Sequence, residues 1–484
     1  MGKELKTQSL KRLHRFLLKS SRKKDGSLPA VSLFSGAGLS DFGYECAGFQ
    51  FHVQAEIDRE RASIGKVNFP NSRWLVDDVT AHSPQVVRTF SAIGKRLALL
   101  VATPPCQGMS SSNSSRGKRD SIEAQKHSDK NTLVFSILPI VEALNPRMFV
   151  VENVRQLLTL EVKRRGRLKT VPQVLSDTLP EYQIFQASLN VADYGVPQSR
   201  RRAVIVGIHK DEACLTSLHA LSLMPLPKPT HFESPKSTQA DSWITIRQWL
   251  RFMRYPCLDS RTEEVATGRD VLHNVPVYSG ERYTLLEAIP AYSGKSAYEN
   301  DVCQACGTEE IFTGIATCPN CGEPLWVRPI VVSKRGVARL IRGFKSSYRR
   351  MAPDRPAPTI TTNTSHVGSD FKIHPWENRV LSARECADIQ TIPRAFDWSP
   401  ALLAKKSYLV RQLIGESFPP YFTKLHGFVL RGLLNNDPRI YAKLMRSELP
   451  EATAGSNDRF CTVTVPAKNP RVSPSKKSRK SVCR

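Results

Sequence analysis

The chain has 484 residues, 40% of them hydrophobic, and carries 70 Lys and Arg against 44 Asp and Glu, a formal net charge of +26 with a pI near 9.8. That length allows two or three domains and a sizeable core, and the charge selects a polyanionic partner, nucleic acid before any other, through phosphate neutralisation and counterion release. No run reaches the ~18 apolar residues of a membrane helix. Phe16-Leu17-Leu18 is too short for a secretory signal, and eleven cysteines with four gathered in two pairs are not a secreted disulfide framework, so an intracellular protein is expected.

Residues 1–29 form a basic extension with nine Lys and Arg against Glu4 and Asp25; a short helix is expected over 11–19 and mobile chain elsewhere. Residues 30–208 alternate apolar strands with helical patterns, with strands near 30–34, 51–56, 73–76, 97–102, 147–151, 184–191 and 202–208. This is the signature of an α/β fold built on a doubly wound, mostly parallel sheet. The first strand, Val31 to Phe34, runs into Ser35-Gly36-Ala37-Gly38, a turn that lets a ligand approach the backbone. By itself that pair of glycines equally marks an ordinary tight turn. A third glycine three residues on would complete a dinucleotide fingerprint, but Asp41 stands there. Glu56 ends the second strand, where an acid suits ribose hydroxyls, and Asp77-Asp78 follow the third, where an acid suits an adenine amino group. The pattern describes an adenosine site without a pyrophosphate cradle, which fits S-adenosylmethionine better than NAD.

The fourth strand, Leu97 to Ala102, is stopped by prolines in Thr103-Pro104-Pro105-Cys106-Gln107-Gly108-Met109-Ser110. A cysteine is thereby presented at the mouth of the sheet, where open α/β folds bind ligands. Most cysteines are small core residues; Cys106 is set apart by this placement. The next apolar strand, Met148 to Val151, ends in Glu152-Asn153-Val154. A nucleophile and a carboxylic acid at the ends of two strands are a candidate catalytic pair. A thiolate can add to an electrophilic carbon while a nearby acid takes up the charge that the addition creates. Residues 111–130, rich in Ser, Lys and Arg without apolar periodicity, are expected to be a lid, in which Lys118 and Arg119 meet nucleic acid. Gln198-Ser199-Arg200-Arg201-Arg202 lies between the last two strands, either as a charged edge guard or as part of the site.

Residues 209–345 lose the alternation from Pro225-Leu226-Pro227-Lys228-Pro229 onward. They hold Cys303-Gln304-Ala305-Cys306 and Cys318-Pro319-Asn320-Cys321, eleven residues apart and each followed by glycine, Gly307 and Gly322. Two such knuckles can bind one structural zinc through four thiolates, with no open position for catalysis. Residues 346–430 regain order, with a helix expected from Arg384 to Ile389. Residues 431–484 close the chain; from Pro466 they carry seven Lys and Arg and no acid, the composition of a disordered tail.

Taken in order, these motifs resemble the cytosine-C5 DNA methyltransferases over roughly 30–208 and 340–430. The late part of the match is carried by 355–361, 379–390 and Arg411-Gln412-Leu413-Ile414-Gly415-Glu416-Ser417-Phe418-Pro419-Pro420. The resemblance implies a catalytic domain over 30–208, an inserted target-recognition domain with the zinc site over 209–345, and a return to the catalytic domain over 346–430. It implies Cys106 as nucleophile and Glu152 as acid, with Arg200 and Arg202 beside the cysteine and the flipped base. Phe34, Gly36, Gly38, Glu56, Asp78 and Pro105 would hold S-adenosylmethionine. Gln107, Ser110 and Gln198 would join the lid residues in binding double-stranded DNA, and Asn153 would be mainly structural. Two departures stand out: Leu39 follows Gly38 where the family has a second glycine, and Glu416 replaces an asparagine, so a cofactor contact is not expected of Glu416. The resemblance further implies a monomer in the bacterial cytoplasm, associated with the nucleoid, with a cognate restriction endonuclease or defence proteins as partners. The alternatives are the tRNA-modifying branch of the family and a non-catalytic DNA-binding regulator.

Overall fold

The computed structural model describes residues 2–20, 27–105, 132–164, 166–235, 241–261, 270–278, 280–341, 346–369, 372–445 and 461–464. Its centre is an eight-stranded sheet of β1 (Leu28–Leu33), β2 (Phe49–Ala55), β3 (Arg73–Leu75), β4 (Leu99–Ala102), β5 (Met148–Asn153), β6 (Tyr182–Asn190), β7 (Arg201–His209) and β8 (Cys461–Thr464). The spatial order is β8-β6-β7-β5-β4-β1-β2-β3. The five strands from β5 to β3 are parallel, whereas β7 runs antiparallel to both β5 and β6, and β8 antiparallel to β6. The reversed β7 and the edge strand β8 are details that apolar runs do not encode.

Both faces of the sheet are covered, and the period of two divides each strand between two cores. Ala30, Phe51, Leu99, Val101, Met148, Val150 and Val206 pack on one side; Val31, Leu33, Val53, Leu100, Phe149, Val151 and Ile205 pack on the other. The strand order reverses between β1 and β4, which places a crevice outside their C-terminal ends.

Helix α1 (Gly2–Lys19) is longer than the short helix expected over 11–19. Its buried Leu13, Phe16 and Leu17 join the larger core, and the Leu17 carbonyl accepts from the Arg394 amide at 2.9 Å. Burying three such side chains contributes on the order of 5–9 kcal/mol, enough to dock the extension against the fold. The late segment returns through α3 (Pro420–Leu434), which packs against α2 (Leu39–Ala47). A Cβ on Gly43 would lie 2.0 Å from Thr423 Oγ1, so only glycine allows this helix contact. Thr423 Oγ1 donates to the Ser40 carbonyl at 2.7 Å.

Residues 214–272 contribute Leu218, Ile246, Trp249 and Leu272 to the larger core. Two smaller clusters lie apart: Tyr283, Leu286 and Ile289 with Val367, Ile373 and Val380, and Cys303, Ile311, Cys318 and Leu325. Among the described residues no helix is long and apolar enough to cross a membrane.

Candidate active site

A cleft of about 1170 Å³ opens at the C-terminal ends of the parallel strands, and its wall is continuous from Phe34, Glu56 and Asp78 to Pro105, Glu152 and Arg202. Phe34, Gly36, Glu56 and Asp78, expected at the adenosine, and Glu152 and Arg202, expected at the base, therefore share one cavity.

At the first end, β1 breaks at Phe34, whose φ of 56° is unusual for a non-glycine residue. Gly38 has a φ of 77° and caps α2, and a Cβ there would stand 2.3 Å from the Phe69 ring. Leu39, in place of a second glycine, starts the helix with its side chain buried. Asp41 explains the missing third glycine: it is buried toward the sheet, accepts from Gln54 Nε2 at 2.8 Å, and burial pushes its carboxyl up to about 7.

Glu56 is buried in the cleft wall, and its two oxygens accept from the Gly36 amide at 2.8 Å and the Asp58 amide at 3.0 Å. Burial raises its pKa; these amides and the Arg61 charge oppose the rise. An ionised carboxylate has about four lone-pair sites, so capacity is left to accept ribose hydroxyls. Asp78 lines the cleft but is also the N-cap of the helix Val79–Ser91, accepting from the Thr80 amide and hydroxyl at 2.8 Å each. An Asp before a helix is a capping signal in its own right.

At the second end, Thr103 Oγ1 donates to the Phe34 carbonyl at 2.9 Å, tying β4 to the adenosine side. Asn153 Nδ2 donates to the Pro104 carbonyl at 2.9 Å, and its Oδ1 accepts from the Val154 amide at 2.8 Å. Asn153 thus holds the Pro-Pro turn against the end of β5, and Pro105 is exposed at the cleft. Cys106, Gln107, Ser110, Lys118, Arg119 and the expected lid over 111–130 lie outside the described residues, as does the tail from Pro466.

Glu152 is 9% exposed. Arg202 Nε stands 3.1 Å from its Oε1 without a hydrogen-bonding alignment, which leaves that buried oxygen without a hydrogen bond on the cleft wall. Burial raises the Glu152 pKa; Arg202 and then Arg200 pull it down in part. A buried acid on a cleft wall, with its pKa raised, is suited to donate or share a proton.

The rest of the Gln-x-Arg-x-Arg motif faces inward. Arg200 is 1% exposed and donates to the carbonyls of Ile360 and Gly415 at 2.9 Å and of Glu416 at 3.2 Å. Gln198 is fully buried; its Oε1 accepts from the Ile360 amide at 2.9 Å and its Nε2 donates to Gln390. The expected DNA contact by Gln198 is therefore corrected: this amide is spent on joining the late segment to the sheet. Gly415 completes that join, since a Cβ would sit 2.2 Å from the Thr361 carbonyl carbon. Glu416 forms a bidentate pair with Arg61 at 2.6 and 3.1 Å across the cleft wall. Sequence reasoning missed Arg61; its only signal was a basic residue soon after the strand-end Glu56.

The four knuckle cysteines come together. Their sulfurs all lie within 4.8 Å of one another, with Cys303–Cys321 and Cys306–Cys318 at 3.7 Å. Each knuckle repeats the same turn, the Gly307 amide donating to the Cys303 carbonyl at 2.9 Å and the Gly322 amide to the Cys318 carbonyl at 3.0 Å. A tetrahedron with metal–sulfur bonds of ~2.3 Å has edges of about 3.8 Å, so the donor set and its spacing fit one tetrahedral ion.

The chain is 25% identical over 412 residues to the type II methyltransferase M1.HgaI of Avibacterium volantium, covering 81% of this chain and 95% of that protein. It is 26% identical over 404 residues to the type II methyltransferase M.DdeI of Desulfomicrobium norvegicum, covering 81% and 85%. Among solved structures, the methyltransferase EhMeth of Entamoeba histolytica aligns with a TM-score of 0.47 at 13% identity, covering 86% of this chain and 99% of that one. The family profile described as C-5 cytosine-specific DNA methylase matches residues 28–425. That match spans most of the chain, and the chain belongs to the C-5 cytosine-specific DNA methylases.

Proposed function

We propose that the protein methylates C5 of a cytosine extruded from duplex DNA, as the modification enzyme of a type II restriction system. The observation that carries the reading is the one cleft that joins Glu56 to Glu152, a buried acid ending the neighbouring strand. S-adenosylmethionine, when bound, supplies an electrophilic methyl group. Phe34, Gly36, Glu56, Asp78 and Pro105 would hold it, Phe34 at the adenine, Glu56 at the ribose hydroxyls and Asp78 at the adenine amino group, with Gly38 shaping the turn that carries Gly36.

Cys106 adds as thiolate to C6 while Glu152 protonates or hydrogen-bonds N3, so that the charge of the addition is held in a water-poor site. C5 then takes the methyl group as the sulfonium–methyl bond breaks and S-adenosylhomocysteine leaves; loss of the C5 proton to solvent and of the thiolate restores the ring. Arg202 holds Glu152 and meets the base; Arg200 and Asn153 are positioning residues. Gln107, Ser110, Lys118 and Arg119 contact the DNA around the extruded cytosine. Residues 30–208 and 346–430 form the catalytic domain and 209–345 the target-recognition insertion. In that insertion Cys303, Cys306, Cys318 and Cys321 hold a structural zinc. The protein acts as a monomer in the bacterial nucleoid beside a cognate endonuclease.

The test is to incubate the protein with methyl-labelled S-adenosylmethionine and either duplex DNA or total tRNA. Label in DNA at 5-methylcytosine is expected. Label confined to tRNA would move the enzyme to the RNA-modifying branch, and none in either would leave a DNA-binding regulator.

A further inference from the structure

The lobe around the cysteine cluster is electrically divided. From Glu299 to Glu323 the sequence has five acids and no Lys or Arg; from Pro324 to Arg350 it has eight Lys and Arg and no acid. The division follows the structure. The acidic half is the pair of knuckles, with Asp301, Glu309, Glu310 and Glu323 exposed. The basic half contains a two-stranded antiparallel ribbon, Ile330–Val332 paired with Ala338–Leu340.

The ribbon is two-faced. Ile330, Val332, Ala338 and Leu340 are half-buried, whereas Val331, Val337 and Arg339 are exposed, with Val337 at 64%. Its tip, Lys334-Arg335-Gly336, is also exposed and closes with the Ser333 amide donating to the Val337 carbonyl at 2.9 Å and Gly336 at φ 76°. Lys334, Arg335 and Arg339 make no ion pair among the described residues. The base of the ribbon is fixed: the Ile341 amide donates to the Pro329 carbonyl and Tyr298 Oη to the Ile341 carbonyl, both at 2.8 Å. Just before it, Arg328 is 1% exposed and donates to the carbonyls of Asn300, Ile311, Phe312 and Ile315 at 2.7–2.8 Å, locking the knuckles to the ribbon.

We infer that the 330–340 ribbon enters the major groove of the DNA substrate and reads bases there, while the cysteine knuckles face away as its scaffold. A two-stranded ribbon is of the size the major groove admits. Arg and Lys suit guanine O6 and N7, and exposed valines suit thymine methyl groups. The acids on the knuckles would be repelled by phosphates. The placement also fits: Ser346 lines the active-site cleft, and the short stretch of chain from Ile341 to Ser346 reaches at most ~18 Å. The ribbon therefore stands within a few base pairs of the extruded cytosine. Its rigid mounting lowers the ordering cost of binding.

This inference rests on the DNA-methylating reading, and one experiment separates the two. Bisulfite sequencing of a host expressing the wild-type protein must first show methylation at a defined site; its absence would fail the underlying reading. Lys334→Ala, Arg335→Ala and Arg339→Ala are then mapped in the same way, beside Glu309→Gln with Glu310→Gln on the knuckles. The ribbon variants are expected to relax the site at particular positions, by about 5–150-fold for each side chain that pairs with a base, with binding of S-adenosylmethionine unchanged. The knuckle variant is expected to keep the wild-type site. A ribbon variant that stops methylating is assayed for binding to cognate and unrelated duplexes, where selective loss of the cognate preference supports the inference. An unchanged site and unchanged preference in all three ribbon variants, or relaxation by the knuckle variant instead, would overturn it.

Discussion

Arg202→Met isolates the electrostatic part of the proposed site. Arg202 Nε lies 3.1 Å from Glu152 Oε1, and the two side chains are 14% and 11% exposed, so water screens the pair little. An opposite charge at this range ordinarily lowers a carboxyl pKa by about 1–3 units, equivalent to roughly 1.4–4 kcal/mol between the two protonation states. Burial already holds Glu152 above its ordinary value, and Arg202 is the stronger of two charges opposing that rise. Removing it should raise the pKa further, toward the lower end of the range because Arg200 remains. Glu152 acts protonated, so activity is present below its pKa in the folded enzyme and is lost as pH rises through it. The basic limb of the pH profile of single-turnover methylation should therefore move to higher pH by about 1 unit or more, whatever happens to the maximal rate. Glu152→Gln, which cannot titrate, should lose about 10²–10⁴-fold in rate and lack that limb. A basic limb that stays in place in Arg202→Met would refute the assignment of Glu152 as the titrating acid.

Three other outcomes follow from the geometry. Asn153→Ala removes the 2.9 Å bond to the Pro104 carbonyl; kcat should fall about 10–100-fold through misplacement of the nucleophile's turn, while calorimetry shows cofactor affinity intact. Glu416→Asn breaks the bidentate pair with Arg61, whose side chains are 31% and 21% exposed respectively. Partly exposed pairs contribute about 1 kcal/mol or less, so cofactor Kd should rise less than about tenfold, and a rise of about a hundredfold would show that Glu416 touches the cofactor. Metal analysis should find about one zinc per chain; Cys318→Ser should lose it together with DNA methylation, while S-adenosylmethionine binding by the sheet is kept.

How much of this was legible depended on whether a local pattern forces a position. The strands were readable because residues such as Val31 and Leu33 alternate with Ala30 across two buried faces. The Pro104-Pro105 stop and the acid after Val151 were readable because prolines and charges end a buried strand. The cysteine knuckles were readable from spacing alone, and the sulfurs do converge. What stayed hidden was tertiary. A Gln-x-Arg-x-Arg motif does not say which side chain turns inward; Gln198 and Arg200 spend their polar groups on Ile360, Gln390 and Gly415, which lie 160 or more positions away. The charge of the first extension masked the apolar stripe of Leu13, Phe16 and Leu17 that docks it. The departure at Glu416 had no visible partner until the helix Arg59–Asn68 brought Arg61 to the cleft.

The central claim is that Cys106 is the nucleophile, and it is tested most directly with duplex DNA carrying 5-fluorocytosine at the methylation site. Fluorine cannot leave C5 as a proton does, so the cysteine–C6 bond should persist in the presence of S-adenosylmethionine. Intact-mass analysis under denaturing conditions should show one protein joined to one DNA strand, peptide mapping should place the link at Cys106, and Cys106→Ala should give neither adduct nor methylation. A link at another cysteine, or methylation by Cys106→Ala, would contradict the account.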